Sequence, residues 1–196
     1  MTLYIVIRLN GEQQNARKAV SYLPDVKEEI TNWYHLYSDS IFKYILMMIN
    51  DYHQAEDLTH DTFIKAYKNH HSFQRKSKPK TWLFSIAHNN TVDYIRKQKP
   101  IKIFQEIFQA MKDSAPLPED IVEVRESSIE LYKALGRLKS SYREVIILRK
   151  IKEFSTRETS EILNWSQGKV KTTLYRAIPA LEKELLKEGF LNGKQI

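Results

Sequence analysis

Between Ser72 and Lys102 the sequence gathers eight basic residues, Arg75, Lys76, Lys78, Lys80, Arg96, Lys97, Lys99 and Lys102, against a single acid, Asp93. Eight minus one equals the formal net charge of +7 carried by all 196 residues. Trp82, Phe84, His88 and Tyr94 are interleaved with these bases, and Asn89 and Asn90 add amide donors and acceptors. Cations neutralise phosphates, aromatic faces stack on bases and amides reach base edges, so the mixture suits a strand of unpaired nucleotides. Each aromatic taken singly also fits an ordinary core. The clustering of charge does not follow from packing.

Immediately upstream, Ala55 to Lys68 reads as an amphipathic helix. Leu58, Phe63, Ile64 and Tyr67 fall on or near one stripe. Glu56, Asp57 and Asp61 lie on another side, with Asp57 and Asp61 one helical turn apart. The pattern fits a solvated acidic face or a docking face for a basic partner, and does not choose between them. His53, Asp57 and His60 could share a helix face as metal ligands do, but no further strong ligand accompanies them, so neither a metal nor a cofactor is expected. A hydrolase or nuclease site on His60, Asp61 and His88 is the remaining catalytic reading. No Gly-rich phosphate loop, nucleophile triad or paired catalytic carboxylates go with it, and no catalytic residue is assigned.

A third constellation lies near the C-terminus. Ser155-Thr-Arg-Glu158 has the form of a capping box, a hydroxyl at the cap and a carboxylate three residues on. Asn164-Trp165-Ser166-Gln167-Gly168 reads as a turn, with Ser166 capping a helix from Gln167 to about Leu186. This is helix-turn-helix spacing. The second helix opens with Gln167, Lys169, Lys171, Thr172, Thr173, Tyr175 and Arg176, and no acid appears until Glu182. Donors and bases therefore concentrate at the end that would enter a major groove.

The elements that must position these groups all read as helices. Apolar content is ordinary, Gly and Pro are scarce and strand-like alternation is nearly absent, which points to an all-α protein of two small helical domains joined by a linker. From Glu29 to Asn50 a broad stripe of Ile30, Trp33, Tyr34, Tyr37, Ile41, Tyr44, Ile45, Met48 and Ile49 reads as helix, with Ser38-Asp39-Ser40 a candidate break. Pro79 discourages helix at Lys78, so residues 73–80 read as a loop, Thr81 as the cap of the next helix and Trp82 as its first packing residue. Pro100 ends this region. Residues 100–120 read as a linker, partly amphipathic through Ile103, Phe104, Ile107, Phe108 and Met111, with a breaker after Asp113. The second unit spans 121–188, followed by a tail at 189–196. It opens on an acidic patch of Glu119, Asp120, Glu123, Glu126 and Glu130, and its core comes from Ile129, Leu131, Leu135, Leu138, Val145, Ile146, Leu148 and Ile151. Residues 1–28 hold a short β-prone run, Leu3–Leu9, and an Asn10-Gly11 turn. They read as a loosely attached arm or an upstream start. The run is too short for a secretory or membrane segment, and the absence of cysteine leaves no disulfide. The basic balance suggests an anionic partner.

Two stretches resemble one family. AEDLTHDTFIKAY, then Phe73 and TWLFSIAHNNTVDYIRK, is similar to region 2 of the extracytoplasmic-function sigma factors of bacterial RNA polymerase. FSTRETSEILNWSQGKVKTTLYRAIPAL resembles region 4 of the same family. The resemblance implies that Glu56, Asp57, Leu58, Asp61, Phe63 and Lys65 meet the clamp-helix region of core polymerase. It implies that Arg75, Lys76, Lys78, Lys80, Trp82, Asn89, Arg96 and Lys97 open and hold the downstream promoter element as single strands. The loop before Trp82 would capture a base turned out of the strand. Ser166, Gln167, Lys169, Lys171, Thr172, Tyr175 and Arg176 would read the upstream element as duplex, with this unit near the polymerase flap. An anti-sigma factor is the further partner implied, and the cytoplasm the implied location, where such a factor can hold the chain at the membrane without direct insertion. Departures from the family pattern are Lys169 for Thr, Thr173 for Arg, Thr159-Ser160 for Ile-Ala, and Ile178-Pro179 for a basic pair. Pro179 is expected to kink or shorten its helix. A stand-alone helix-turn-helix regulator is the alternative. It would use 121–188 and leave the acidic helix and the tryptophan segment without a role.

Overall fold

A computed structural model describes residues 23–108 and 126–187, with side chains placed for 26–98 and 131–187. The expectations for residues 1–22, the breaker after Asp113 and the tail lie outside the described residues, as do Glu119, Asp120 and Glu123 and the side chains of Lys99, Lys102, Glu126 and Glu130; residues 23–28, expected to belong to the loosely attached arm, instead form the first turns of a helix whose inward stripe is buried from Ile30 on. All elements described are helical.

Helix α1, Leu23–Ile49, is continuous. The Ser38-Asp39-Ser40 triplet does not break it. Trp33 on one side and Ile41, Tyr44 and Ile45 on the other enter the same core, and exposed Asp39 pairs with Lys43 one turn on at 2.9 Å. Tertiary burial of the stripe outweighs the weak propensity of three surface residues. Asn50, in the left-handed region at φ 54°, ends α1, and Asp51 caps α2, Tyr52–Lys68, by accepting from the Gln54 amide at 3.1 Å. Asn tolerates that conformation and Asp supplies the cap, so two adjacent polar residues turn the chain into a helical hairpin.

A short 3-10 turn, His70–Ser72, leads into α3, Pro79–Phe108. Here the expected boundary is corrected. Pro79 occupies the first helical turn, where its missing N–H costs nothing, and the Lys78 carbonyl already accepts from the Trp82 amide at 3.1 Å. Thr81 is therefore inside the helix, 2% exposed, and is not its cap. Pro100 does not end the region either, since α3 continues through it to Phe108. Proline removes one backbone donor and crowds the preceding turn, but flanking helical turns can carry it.

The second unit consists of α4, Glu126–Arg137, α5, Ser140–Ile146, a π-helical turn at Ile147–Ile151, α6, Thr156–Leu163, and α7, Gln167–Lys187. The π turn, in which Lys152 N–H reaches the Ile147 carbonyl at 2.8 Å, had no signal in the sequence. Pro179 lies exposed within α7, which runs on to Lys187, so it does not shorten the helix.

Leu135, Val145, Leu148, Phe154, Ile162, Val170 and Ala177 join Ile41, Tyr44, Phe63, Leu83 and Phe84 in one continuous buried cluster. His88 belongs to that interior. Its Nδ1 shares a 3.2 Å hydrogen bond with the Tyr44 hydroxyl, and burial lowers its pKa to about 4. It is a neutral core histidine and not a nucleic-acid contact or a catalytic base. The unfolded imidazole takes its proton near its ordinary value of about 6.5, so acid favours unfolding. Stability from this group is full above that pH and is lost as pH falls towards 4, by about 3 kcal/mol in all. Denaturant melts across this window should show the loss, and His88→Gln should flatten it.

Candidate nucleic-acid and polymerase interface

The acidic helix presents two exposed carboxylates, Asp57 and Asp61, with Glu56 and Leu58 half-buried beside them. Burial of Thr59, Thr62, Phe63 and Ala66 on the opposite side orients them outward. Phe63 is 1% exposed and packs edge to face on Tyr34 at 4.9 Å. It positions α2 and does not touch a partner, because its ring is already spent on the core. Lys65 is exposed, but its ammonium donates to the Asn90 amide oxygen, and the Asn90 amide in turn donates to Thr62 Oγ1 at 3.2 Å. Asn90, read with its neighbour as a nucleotide contact, is thus a buried brace between α2 and α3. A cleft of about 190 Å3 between α1 and α2 is walled by Tyr34, Phe42 and Tyr52 and rimmed by Asp39 and Glu56. Burial, with Glu56 nearby, raises the Tyr34 pKa.

The basic face is built around the start of α3. Trp82 is half-buried in an aromatic cluster, its ring centroid 5.0 Å from Phe73 and 6.0 Å from Trp33. One helical repeat of seven residues along α3 brings up exposed Asn89, and a second brings up Arg96. Trp82, Asn89 and Arg96 therefore share one stripe, with exposed Lys97 alongside. Phe84, by contrast, is fully buried, and Tyr94 is half-buried. Arg96 is tied to Asp93 at 2.9 Å. In the preceding loop Arg75 takes the left-handed conformation at φ 54° and is held by Glu29 at 3.1 Å, which also binds His70 at 2.8 Å. A non-glycine residue there costs about 1–2 kcal/mol. Lys76 is exposed, Lys78 lies 3.2 Å from Glu158, and the Lys80 ammonium sits 4.9 Å above the Phe154 ring. Glu29 and Trp33 were legible only as helix residues. Their role in shaping this loop depends on a packing that no local pattern reveals.

The third surface is the helix-turn-helix. The capping box forms as expected: Ser155 Oγ accepts from the Glu158 amide at 3.1 Å, and Glu158 accepts from the Ser155 amide at 2.8 Å. These bonds hold the Glu158 carboxyl below its usual pKa. Asn164 at φ 51° makes the turn, and Ser166 Oγ caps α7 by accepting from the Lys169 amide at 3.2 Å. Val170 and Ala177 face inward, so Gln167, Lys169, Lys171, Thr172, Tyr175 and Arg176 are exposed, Tyr175 by 82%. Two of these are partly committed. Lys169 lies over the Trp165 ring at 4.0 Å, and the Thr172 hydroxyl donates to the Gly168 carbonyl at 2.7 Å. Thr159, one of the departures from the family pattern, is wholly buried beneath the turn.

The three surfaces stand on two family regions. Residues 33–101 match the model for Sigma-70 region 2, and residues 128–181 match that for Sigma-70, region 4. Sigma factor SigX of Bacillus subtilis (strain 168) is 35% identical to this chain over 168 residues, spanning 82% of this chain and 87% of SigX. The chain belongs to the extracytoplasmic-function sigma factors of RNA polymerase. SigW of the same organism is 37% identical over 159 residues, spanning 76% of this sigma factor and 85% of SigW. Among solved structures, the sigma factor RpoE from Bartonella quintana, in complex with the anti-sigma factor NepR, is 27% identical, with a TM-score of 0.67 over 82% of this chain and 98% of RpoE. Region 2 of the sigma factor thus corresponds to α1–α3 and region 4 to α4–α7. Among the described residues no helix is long and apolar enough to cross a membrane, and no three His, Cys, Asp or Glu side chains are grouped to hold a metal.

Proposed function

We propose that this sigma factor divides its work among three surfaces. Asp57 and Asp61, flanked by Glu56 and Leu58, dock on the clamp-helix region of core polymerase. The loop Arg75–Lys80 and the Trp82–Asn89–Arg96 stripe hold the opened downstream element. Gln167, Lys169, Lys171, Thr172, Tyr175 and Arg176 enter the major groove of the upstream element, with region 4 near the polymerase flap. The chain works in the cytoplasm, has no catalytic residue of its own, and is held in reserve by an anti-sigma factor. The observation that carries this reading is the placement of charge: Asp57 and Asp61 are exposed on the middle of α2, while Arg75, Lys76 and Lys78 are exposed in the loop before α3, Arg96 and Lys97 on α3, and Lys169, Lys171 and Arg176 on the first half of α7.

Run-off transcription with core polymerase over a promoter library tests it. The expected transcripts depend on the chain and share two sequence elements. A stand-alone regulator would shift duplex DNA without polymerase and yield no transcript. Within the same assay, Arg176→Ala should weaken promoter binding at the upstream element and lower the slope of log affinity against log salt by about one, the mark of one lost phosphate contact.

A further inference from the structure

Glu29 of α1 touches the stretch between α2 and α3 at two points. Its Oε2 lies 2.8 Å from Nε2 of His70, in the 3-10 turn that leads into the loop. Nη2 of Arg75 donates to the same oxygen at 3.2 Å and lies 3.1 Å from Oε1. One turn further along α1, the Trp33 ring meets Phe73 edge to face at 5.3 Å and His70 at 5.8 Å. One face of α1 therefore grips residues 70, 73 and 75, and Pro79 anchors the far end by opening α3. Between these holds Lys76 is exposed. The backbone of Arg75 gives the grip on its side chain a consequence. Four non-glycine residues among those described are left-handed: Asn50, Arg75, Glu153 and Asn164. Asparagine tolerates that region, and arginine does not share the tolerance. Glu29 itself lies outside residues 33–101, which match region 2.

We propose that Glu29 is a positioning residue for the downstream element: by holding His70 and Arg75 it sets the path of the loop, and with it the loop's preference among unpaired bases. Arg75 then serves the shape of the loop, while exposed Lys76 supplies charge to the strand. A carboxylate that only neutralised Arg75 would behave differently, weakening strand binding equally for every base. The Arg75 side chain is 70% exposed, so its ion pair is screened by solvent, and losing it should redistribute the loop without unfolding region 2. The proposal rests on the reading of this loop as a template contact, and its test separates the two.

Holoenzyme formed from the full chain and core polymerase is titrated with single-stranded oligonucleotides that carry the downstream element selected by run-off transcription, each position varied through the four bases. Wild type should discriminate among bases at one position or more. Glu29→Ala, which suits a helix, should reduce that discrimination by at least about threefold, with polymerase association, upstream protection and melting temperature retained. Arg75→Gly in the Glu29→Ala background should recover it, because glycine takes a φ of 54° unaided. Arg75→Ala in the same background should not. Unchanged discrimination in Glu29→Ala would overturn the proposal, as would a uniform gain in affinity with discrimination intact, the mark of a mere countercharge. Equal behaviour of the glycine and alanine variants would also overturn it, and that comparison decides even if Glu29→Ala lowers the melting temperature, since both variants carry the same loss. Equal affinity of wild type for all four bases at every position would overturn the reading of the loop itself, and the proposal with it, before any variant is compared.

Discussion

Reversing both exposed acids of α2, Asp57→Arg with Asp61→Arg, is expected to abolish co-elution with core polymerase while leaving helicity and melting temperature unchanged. Both side chains point to solvent, and neither has a hydrogen bond or ion pair among the described residues, so the fold loses nothing when they change. At a complementary interface, two like charges facing each other cost several kcal/mol, enough to lower affinity by about a hundredfold or more. Phe63→Ala is the contrasting case. Removing a ring that is 1% exposed should cost about 3–5 kcal/mol of stability. Its loss of polymerase binding would then come with a lowered melting temperature, which the arginine pair would not show. Gel filtration with core polymerase, beside thermal melts, separates the two.

The second large effect is expected at the template surface. Lys76→Ala, Asn89→Ala and Lys97→Ala together remove three exposed side chains of the loop and stripe. Polymerase association should persist, and upstream protection should persist, because α7 is untouched. The opened complex should fall by about tenfold to a hundredfold, since two phosphate cations and one base-edge amide are lost at once. Trp82 is left in place because its ring also packs on Trp33 and Phe73, and truncating it would confuse stacking with stability.

What the sequence revealed and what it hid follow from the range of the forces involved. The capping box at Ser155 and Glu158, the turn at Asn164 and the outward row on α7 are local, written within a few residues, and each is where its pattern put it. The acidic face of α2 was equally legible, because helical period alone separates Asp57 and Asp61 from Phe63. Proline was legible in one place and hidden in another. Pro79 does keep Lys78 out of the helix, but as a first-turn residue with no bond to lose it opens the helix itself two residues before Thr81, and Pro100 does not end it, because an interior proline can be carried by its neighbours. His88 and Asn90 carried nucleotide-binding chemistry on paper. Their partners, Tyr44 and the Thr62–Lys65 pair, come from helices far away in sequence, and burial against those helices makes them structural. The π turn at Ile147–Ile151 and the seating of Phe154 against Phe84 are likewise products of long-range packing.

The most direct test of the division between one acidic and two basic surfaces is permanganate reactivity of promoter thymines in complexes formed with core polymerase. Wild type should expose reactive thymines downstream. The Asp57 and Asp61 reversal should give none because no holoenzyme forms, and the Lys76, Asn89 and Lys97 variant should form holoenzyme, protect the upstream element and still leave the thymines unreactive. Full thymine reactivity from either variant would contradict the account.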